Sequence, residues 1–190
     1  MVTADELRGV LLTPEEAAEM DSAGGSTDAA VLVPLYFDRG GLHAVFTKRR
    51  ADLLRHAGEI SFPGGRQDFA DEDLRVTALR EAEEEIGLAR GDVELVGALP
   101  PTGTFVTGFR IHPFVGAIRA GHVWKAEPRE VEEVLELSLE DLLQGFEMQR
   151  LIRKGVPFKT PTYTVDGNLV WGATARILQG LLERLEPLLR

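Results

Sequence analysis

The chain has 190 residues, of which 44% are hydrophobic, enough for a buried core and most simply for one domain. It contains no cysteine, which excludes disulfides, thiolate nucleophiles and cysteine-ligated zinc. Its net charge of −10 argues against general nucleic-acid binding, and an anionic substrate would need cations to bridge it to this protein.

Residues 1–28 are predicted to form a helical segment and a flexible joint, ahead of the main domain at 29–190. Between Thr3 and Met20 we expect one or two short helices, because Thr13-Pro14-Glu15-Glu16 combines a cap, a proline at the first helical position and early acids. The sequence Ser-Ala-Gly-Gly-Ser at 22–26 is typical of a joint.

A β-hairpin is predicted next. The apolar run at 29–37 is a candidate buried strand, and a turn at 38–41 leads into a second strand at 42–48. This run is also the longest apolar stretch, and it is far shorter than a membrane span and contains Pro34. With no secretory signal visible, we expect a cytoplasmic protein in a reducing compartment, with no membrane partner.

The stretch from Gly64 to Leu88 predicts a loop followed by one helix. Asp71 or Asp73 suits the N-cap, and Gly87 suits a left-handed C-terminal residue. At about 100° per residue, one side carries apolar residues and is predicted to be buried, and the opposite side carries acids. The apolar set is Val76, Leu79 and Ile86, and the acidic set is Glu81, Glu84 and Glu85.

Three glutamates near the C-terminal end of a helix are electrostatically unfavourable, because the helix dipole is negative there. Two carboxylates about 6 Å apart repel by roughly 1 to 3 kcal/mol. Arg80, one turn before Glu84, offsets only part of this repulsion. A divalent ion such as Mg²⁺ would offset it fully. The pattern alone leaves two interpretations open, a metal site and a solvated acidic face.

The order Arg80-Glu81-Ala82-x-Glu84-Glu85-x-Gly87-Leu88 resembles the Nudix box, and Glu72 stands eight residues before Arg80, as in that motif. Arg66 occupies the position of the first glycine of the box, so Gly65 comes one residue early, as after a one-residue insertion in the loop. The resemblance implies an α/β fold, an α/β/α sandwich with a mixed β-sheet.

The same resemblance implies hydrolysis of a pyrophosphate linkage with Mg²⁺ or Mn²⁺ as cofactor. The metal ligands would be Glu81, Glu84 and Glu85, with Glu84, Arg80 and Glu81 in catalytic roles and Arg80 orienting the glutamates. The backbone of Gly64 and Gly65 would complete the metal site.

The segment 47–65 is rich in basic residues, which suits a phosphate-rich ligand but equally suits an ordinary surface. These residues are Lys48, Arg49, Arg50, Arg55 and His56. The segment also resembles the motif of the coenzyme A pyrophosphatase branch at Thr47, Arg49, Gly58 and Phe62-Pro63-Gly64-Gly65, although Leu54 stands where that motif has its second arginine. The substrate-binding residues implied are Arg49, Arg50, Arg55, Gly64 and Gly65.

Two further strands are predicted at 92–99 and 111–118, joined by a Gly- and Thr-containing connection that could fold over a ligand. Leu-Pro-Pro, Thr-Gly-Phe and Pro-Phe-Val-Gly in this region resemble the same branch. His112 is a general base in principle, but a half-buried strand histidine without a catalytic task is favoured.

The C-terminal third begins with acids, a strand around 134–137 and a helix capped by Ser138 that runs into Leu143. A hairpin follows, with strands at 162–165 and 169–171 around Asp166-Gly167, and then an apolar helix from Ala173. Enzymes of the Nudix family often draw a further ligand or the base from an acidic loop here. The candidates are Glu130, Glu132 and Glu133, and the sequence does not choose among them.

The ending Tyr163 and Trp171-Gly172-Ala173-Thr174-Ala175 also resembles the coenzyme A branch. The substrate implied is coenzyme A or its thioesters, cleaved to 3′,5′-ADP and a 4′-phosphopantetheine product. Two alternatives stay open. One is another nucleotide substrate such as ADP-ribose, a dinucleoside polyphosphate or a nucleoside triphosphate, and the other is a non-catalytic nucleotide-binding module. The oligomeric state is not predicted.

Overall fold

The structure is a computed structural model that describes residues 2–21, 24–38, 41–52, 58–69, 71, 73–104, 108–153 and 155–189. Parts of the predicted joint at 22–26 and of the turn at 38–41 lie outside these ranges, as do Leu54, Arg55, His56, Glu72 and the threonine of Thr-Gly-Phe. No helix in the described ranges is both long enough and apolar enough to cross a membrane.

Five α-helices occur in the described chain, and each predicted helix is confirmed. They are α1 (Ala4–Val10), α2 (Pro14–Ala18), α3 (Leu74–Ile86), α4 (Leu139–Gln144) and α5 (Gly172–Leu185). The Thr13 side chain accepts from the Glu16 backbone, with Pro14 at the start of α2, as predicted. Two short 3₁₀ turns, Arg90–Asp92 and Glu186–Leu188, follow α3 and α5.

The strands confirm the predicted hairpins and add others. They are β1 (Thr27–Asp38), β2 (Gly41–Arg49), β3 (Ile60–Ser61), β4 (Gly64–Arg66), β5 (Glu94–Ala98), β6 (Thr102–Gly103), β7 (Phe109–Ala117), β8 (Val131–Ser138), β9 (Phe146–Arg153), β10 (Val156–Val165) and β11 (Asn168–Val170). Strand β9 was not predicted, although its apolar residues alternate at Phe146, Met148 and Ile152.

The main sheet is mixed, because β1 and β7 are parallel while their other neighbours are antiparallel. Its order is β3-β2-β1-β7-β5, with β4 beside β1, β6 beside β7 and β8 beside β2. The strands β11, β10 and β9 form a second, antiparallel sheet. The Asp166-Gly167 turn joins β10 to β11 with positive φ at both residues, 50° and 78°, which explains its glycine.

Apolar residues fill both faces of the main sheet, which confirms the α/β/α sandwich. On one face the sheet packs against α1, α5 and β10, and Leu7 and Leu11 from the N-terminal segment are buried there. On the other face it packs against α3 and against Ala17 of α2. The division of the chain at residue 28 stays a prediction.

Helix α3 begins and ends as its sequence predicts. Asp73 is the N-cap, and its Oδ1 accepts from the backbone N–H groups of Arg75 at 2.8 Å and Val76 at 3.2 Å. Gly87 closes the helix with a left-handed φ of 71°. The backbone of 125–127 then donates to the last carbonyl groups of α3, from Lys125 to Ile86 and from Glu127 to Glu85.

The predicted buried face of α3 is partly wrong. Ile86 is buried, but the residues that accompany it at full burial are Thr77, Ala78 and Ala82, while Val76 and Leu79 are only half-buried. The reason is that alanines, spaced four residues apart, let the helix approach the sheet more closely than larger side chains would.

Candidate active site

The two glycines of β4 hold the acidic side of α3 against the sheet. Strand β4 pairs with β1, Gly64 opposite Val31 and Gly65 opposite Ala30. A side chain at Gly64 would collide with the backbone of β1, and a side chain at Gly65 would collide with the Glu81 carboxylate. The missing side chains therefore create the space in which the carboxylates of α3 lie.

Glu85 is buried at the centre of this contact, with 7% of its surface exposed. The backbone N–H of Gly64 donates to its Oε2 at 3.1 Å. Burial, with a further contribution from the Glu81 charge, raises the pKa of Glu85 to about 8. The prediction that Glu85 lies on the side of α3 opposite the packing face is wrong, because β4 covers it.

Glu81 lies one turn before Glu85 and is half-buried beside Gly65. Burial raises its pKa, and the neighbouring charges of Glu84 and Glu130 act in the same direction while Arg80 opposes them. Gly65 therefore leaves room for the Glu81 carboxylate, although this glycine comes one residue early in the motif.

Arg80 connects the carboxylates of α3 to the preceding loop. Its Nη1 donates to Glu81 Oε1 at 3.0 Å and to Glu84 Oε2 at 3.1 Å. Its Nε and Nη2 donate to the two carboxylate oxygens of Asp71, at 3.1 and 3.0 Å. Glu84 itself is largely exposed. The predicted orienting role of Arg80 is consistent with this geometry.

Asp71 takes part in this site, although the sequence predicts for it only a possible role as N-cap. Its side chain is 4% exposed and also accepts from the Thr77 hydroxyl at 2.8 Å. The Arg80 guanidinium is the main cause that holds the pKa of Asp71 well below its usual range. The spacing in the sequence indicates this contact. When Asp73 caps the helix, Thr77 and Arg80 lie on the side of α3 that faces Asp71.

Arg49, at the end of β2, faces the same carboxylates. Its Nη1 lies 3.5 Å from Glu130 Oε2, and its charge lowers the pKa of Glu85 against the effect of burial. Its Nε is buried and has no hydrogen-bond partner within the described residues. A buried, unsatisfied donor of a guanidinium beside acids is an expected contact point for a phosphate oxygen.

Of the three acids left open by the sequence, the structure brings Glu130 to the site. Its charge acts on both Glu81 and Glu85 and raises the pKa of each. Glu132 and Glu133 are exposed on β8, and neither is among the main causes of those two pKa shifts.

Two other predicted residues have partners elsewhere in the chain. The Arg50 guanidinium is held by both oxygens of Asp52, at 2.8 and 2.7 Å, and by the Pro128 carbonyl at 2.7 Å. His112 is a half-buried strand histidine, as favoured above, and its Nε2 lies 3.0 Å from Asp28 Oδ1, a carboxylate that also binds Arg110.

The residues of this site fit a divalent cation. Glu81 and Glu85 present hard oxygen donors from adjacent turns, and burial disfavours their charged forms unless a cation lies nearby. Within the part of the chain that the structure describes, no three acidic or histidine side chains converge tightly enough to hold an ion by themselves. The arrangement suits Mg²⁺, which usually keeps waters and takes one or two carboxylates together with substrate phosphates.

Comparison with known proteins places the chain in a family. Residues 26–156 match the model of the NUDIX domain. A protein of Salmonella paratyphi B named uncharacterized Nudix hydrolase NudL is 38% identical over 155 residues, which cover 80% of each chain.

Two solved structures share the fold. The NUDIX domain of Shewanella oneidensis NrtR aligns over 93% of this chain and 97% of that chain, with a TM-score of 0.54 and 18% identity. A MutT/nudix family protein from Enterococcus faecalis aligns over 98% of this chain and 75% of that chain, with a TM-score of 0.57 and 13% identity.

The fold and the family match thus define a Nudix-type hydrolase. The chain belongs to the Nudix hydrolase family. It is a hydrolase of pyrophosphate bonds in nucleoside diphosphate derivatives, and enzymes of this family generally use divalent metal ions such as Mg²⁺ or Mn²⁺.

Proposed function

We propose that this enzyme hydrolyses the pyrophosphate linkage of coenzyme A or its thioesters, giving 3′,5′-ADP and 4′-phosphopantetheine or its acylated form. The observation that carries the proposal is the buried Nε of Arg49, which has no partner in the described chain and lies on a side chain next to Glu130. Arg49 belongs to the segment that resembles the coenzyme A branch, so this segment and the acidic helix contribute to one site.

Glu81 and Glu85 would hold the divalent ion, with Glu84 reaching it once its bond to Arg80 is exchanged. A bound ion supplies neutralisation of the diphosphate charge and a lowered pKa for a coordinated water. The hydrogen bond from Gly64 N–H fixes the orientation of Glu85, and Arg80, itself held by Asp71, fixes the orientation of Glu81.

In the reaction, a water oxygen attacks one phosphorus atom while the bond from that phosphorus to the bridging oxygen breaks. The leaving phosphate takes the electron pair, and a carboxylate accepts the proton of the water. We assign the proton to Glu130, because it belongs to the later loop, its charge acts on both Glu81 and Glu85, and its carboxylate lies 3.5 Å from Arg49 Nη1. Arg49 binds the diphosphate oxygens and balances the charge of Glu130.

Arg50 and Arg55 stay part of the proposal with different support. Arg50 lies beside the site but would have to exchange its contact with Asp52 to bind phosphate. Arg55, one position after the expected second arginine of the motif, lies outside the described residues. The proposal therefore depends most on Arg49.

A substrate panel tests the proposal directly. Coenzyme A, an acyl-coenzyme A, ADP-ribose, a dinucleoside polyphosphate and a nucleoside triphosphate are each incubated with enzyme and Mg²⁺ or Mn²⁺, and the products are identified by mass. We expect coenzyme A compounds to have the highest kcat/KM. ADP-ribose belongs in the panel because the Shewanella domain was crystallised with it, although 18% identity shows only a shared fold.

Three outcomes separate the hypotheses. Preferential formation of 3′,5′-ADP supports the proposal, and preferential cleavage of ADP-ribose or another nucleotide replaces its substrate. Binding without turnover of any member of the panel would instead support a non-catalytic nucleotide-binding module. Arg49→Lys is the matched variant, since it keeps the charge but loses the forked donor, and we expect it to raise KM for the preferred substrate.

A further inference from the structure

The β9–β10 hairpin carries an uncovered apolar face. Three large hydrophobic side chains of β9, Phe146, Met148 and Ile152, are exposed, and Leu143 of the preceding helix α4 is exposed as well. Met148 is 46% exposed and Ile152 is 74% exposed. The ring centroids of Phe146 and the buried Tyr163 are 5.4 Å apart. The exposed apolar face therefore begins at the core and extends outward along β9.

The same hairpin has a charge arrangement that is unfavourable in an isolated chain. Arg150 and Lys159 are directly opposite each other on β9 and β10, and both are exposed. Neither has an acidic partner in the ranges that the structure describes. Like charges opposite each other in an antiparallel pair are destabilising. An acidic surface brought against this hairpin would remove that cost.

Strand β9 is also an open edge. Among the described strands it pairs only with β10, so one side of its backbone is available for pairing. Exposed apolar edge strands are sites of association with other strands. The stretch 146–159 contains four basic residues and one acidic residue, in a chain whose net charge is −10. The hairpin is thus a basic, apolar element on an acidic protein.

The chain itself offers the complementary surface. Strand β8 is an edge of the main sheet, because among the described strands it pairs only with β2. It exposes Glu132, Glu133 and Glu136, of which Glu136 also contacts the Tyr36 hydroxyl. One edge of the molecule is therefore basic and another is acidic, and both retain unpaired backbone groups.

We propose that the β9–β10 hairpin docks on the glutamate-bearing β8 edge of a second copy of this chain. The apolar side chains of β9 are then covered, and Arg150 and Lys159 face acids. Every copy carries both a β9 edge and a β8 edge, so two reciprocal contacts close a dimer. A single contact would leave one β9 edge and one β8 edge unpaired. The interface lies next to Glu130, which immediately precedes β8.

Sedimentation of the full chain over a wide concentration range tests this interface. We expect wild type to self-associate, and Met148→Lys to raise the dissociation constant by at least about tenfold, since it places a charge in an apolar contact. Val123→Lys is the matched control, because Val123 is an apolar side chain that is 95% exposed elsewhere. It should associate like wild type.

Charge reversal provides a second, independent arm. Arg150→Glu and Glu133→Arg should each weaken association, and the double variant should recover it, which a merely misfolded chain could not do. Higher salt should weaken the wild-type contact. A chain that stays monomeric at every concentration would overturn the proposal. Association that is unchanged by Met148→Lys, or a double variant no better than the single ones, would overturn it as well.

Discussion

At the scale of single residues, the buried carboxyl of Glu85 makes the sharpest prediction. Its pKa is raised to about 8, mainly by burial, so the metal-free fold gains stability from its protonated form below the unfolded pKa near 4.5 and loses it as pH rises through 8. Glu85→Gln removes this loss. We expect the variant to unfold at a higher temperature than metal-free wild type at pH 9, but to lose turnover with Mg²⁺.

The control for this prediction is the effect of Mn²⁺ on the unfolding temperature. Added Mn²⁺ should stabilise wild type more at pH 9 than at pH 6, since binding requires the ionised carboxyl, and should leave Glu85→Gln almost unchanged. Retained Mg²⁺-dependent turnover in Glu85→Gln would refute its assignment as a ligand.

Gly65 is predicted to be required because it leaves space for the Glu81 carboxylate, and not because of its backbone conformation. A Cβ at this position would meet the end of the Glu81 side chain, which can move, so Gly65→Ala should fold. The displaced carboxylate should weaken Mn²⁺ binding by about tenfold or more, measured by titration calorimetry. Gly91→Ala is a matched control, because a Cβ there would meet nothing within 4 Å. Equal Mn²⁺ affinity in both variants would contradict this role.

Asp71 is predicted to matter for both stability and orientation of the glutamates. Asp71→Asn keeps the shape but loses the charged bonds to Arg80, and we expect it to cost about 1 to 3 kcal/mol in the free energy of unfolding at neutral pH. Because the pKa of Asp71 is lowered on folding, its stabilisation is present above about pH 4 and is lost as pH falls further.

Urea unfolding at several pH values measures this contribution. The difference between wild type and Asp71→Asn should shrink at acid pH. A difference that stayed constant from neutral to strongly acid pH would contradict an origin in the charge of Asp71.

At the scale of elements, the face that α3 presents to the sheet determines which substitutions it tolerates. Ala82→Leu inserts bulk at a fully buried position of the face that packs on the sheet, and overpacking of this kind should cost about 1 to 3 kcal/mol. Val76→Ala removes little buried surface and gains helix propensity, so it should change stability by less than about 1 kcal/mol. Denaturant unfolding of both variants gives the comparison, and a larger loss from Val76→Ala would restore the face predicted from periodicity.

The helices and hairpins could be predicted from sequence because their signals are local. Thr13, Asp73, Ser138 and Gly87 sit at helix ends where the chain itself provides the partner, and Asp166-Gly167 specifies a tight turn. The burial of Glu85 could not be predicted this way, because it depends on β4, a strand from another part of the chain. Helical periodicity places a carboxylate on a side, but only the packing partner decides whether that side is covered.

Strand β9 and the small sheet show a second limit. Met148 and Ile152 alternate as in a strand but are exposed, so no core pattern identifies their neighbours. The sequence likewise could not distinguish Glu130 from Glu132 and Glu133. The distinction depends on the pairing of β2 with β8, which brings Arg49 next to Glu130.

At the scale of the whole molecule, the charge of −10 opposes binding of an anionic substrate, and cations at the acidic helix would offset most of this repulsion. Basic residues near the site are largely committed within the chain, Arg80 to Asp71 and Arg50 to Asp52. A chelator should therefore abolish turnover, and Mg²⁺ or Mn²⁺ should restore it.

The most direct test of this account is the position of Mn²⁺ in crystals grown with the ion and a non-hydrolysable diphosphate substrate analogue. We predict an anomalous peak bonded to the carboxylates of Glu81 and Glu85 and to a phosphate oxygen, near Gly64 and Gly65. An anomalous map with no peak at these carboxylates, while the analogue is bound, would contradict the central claim.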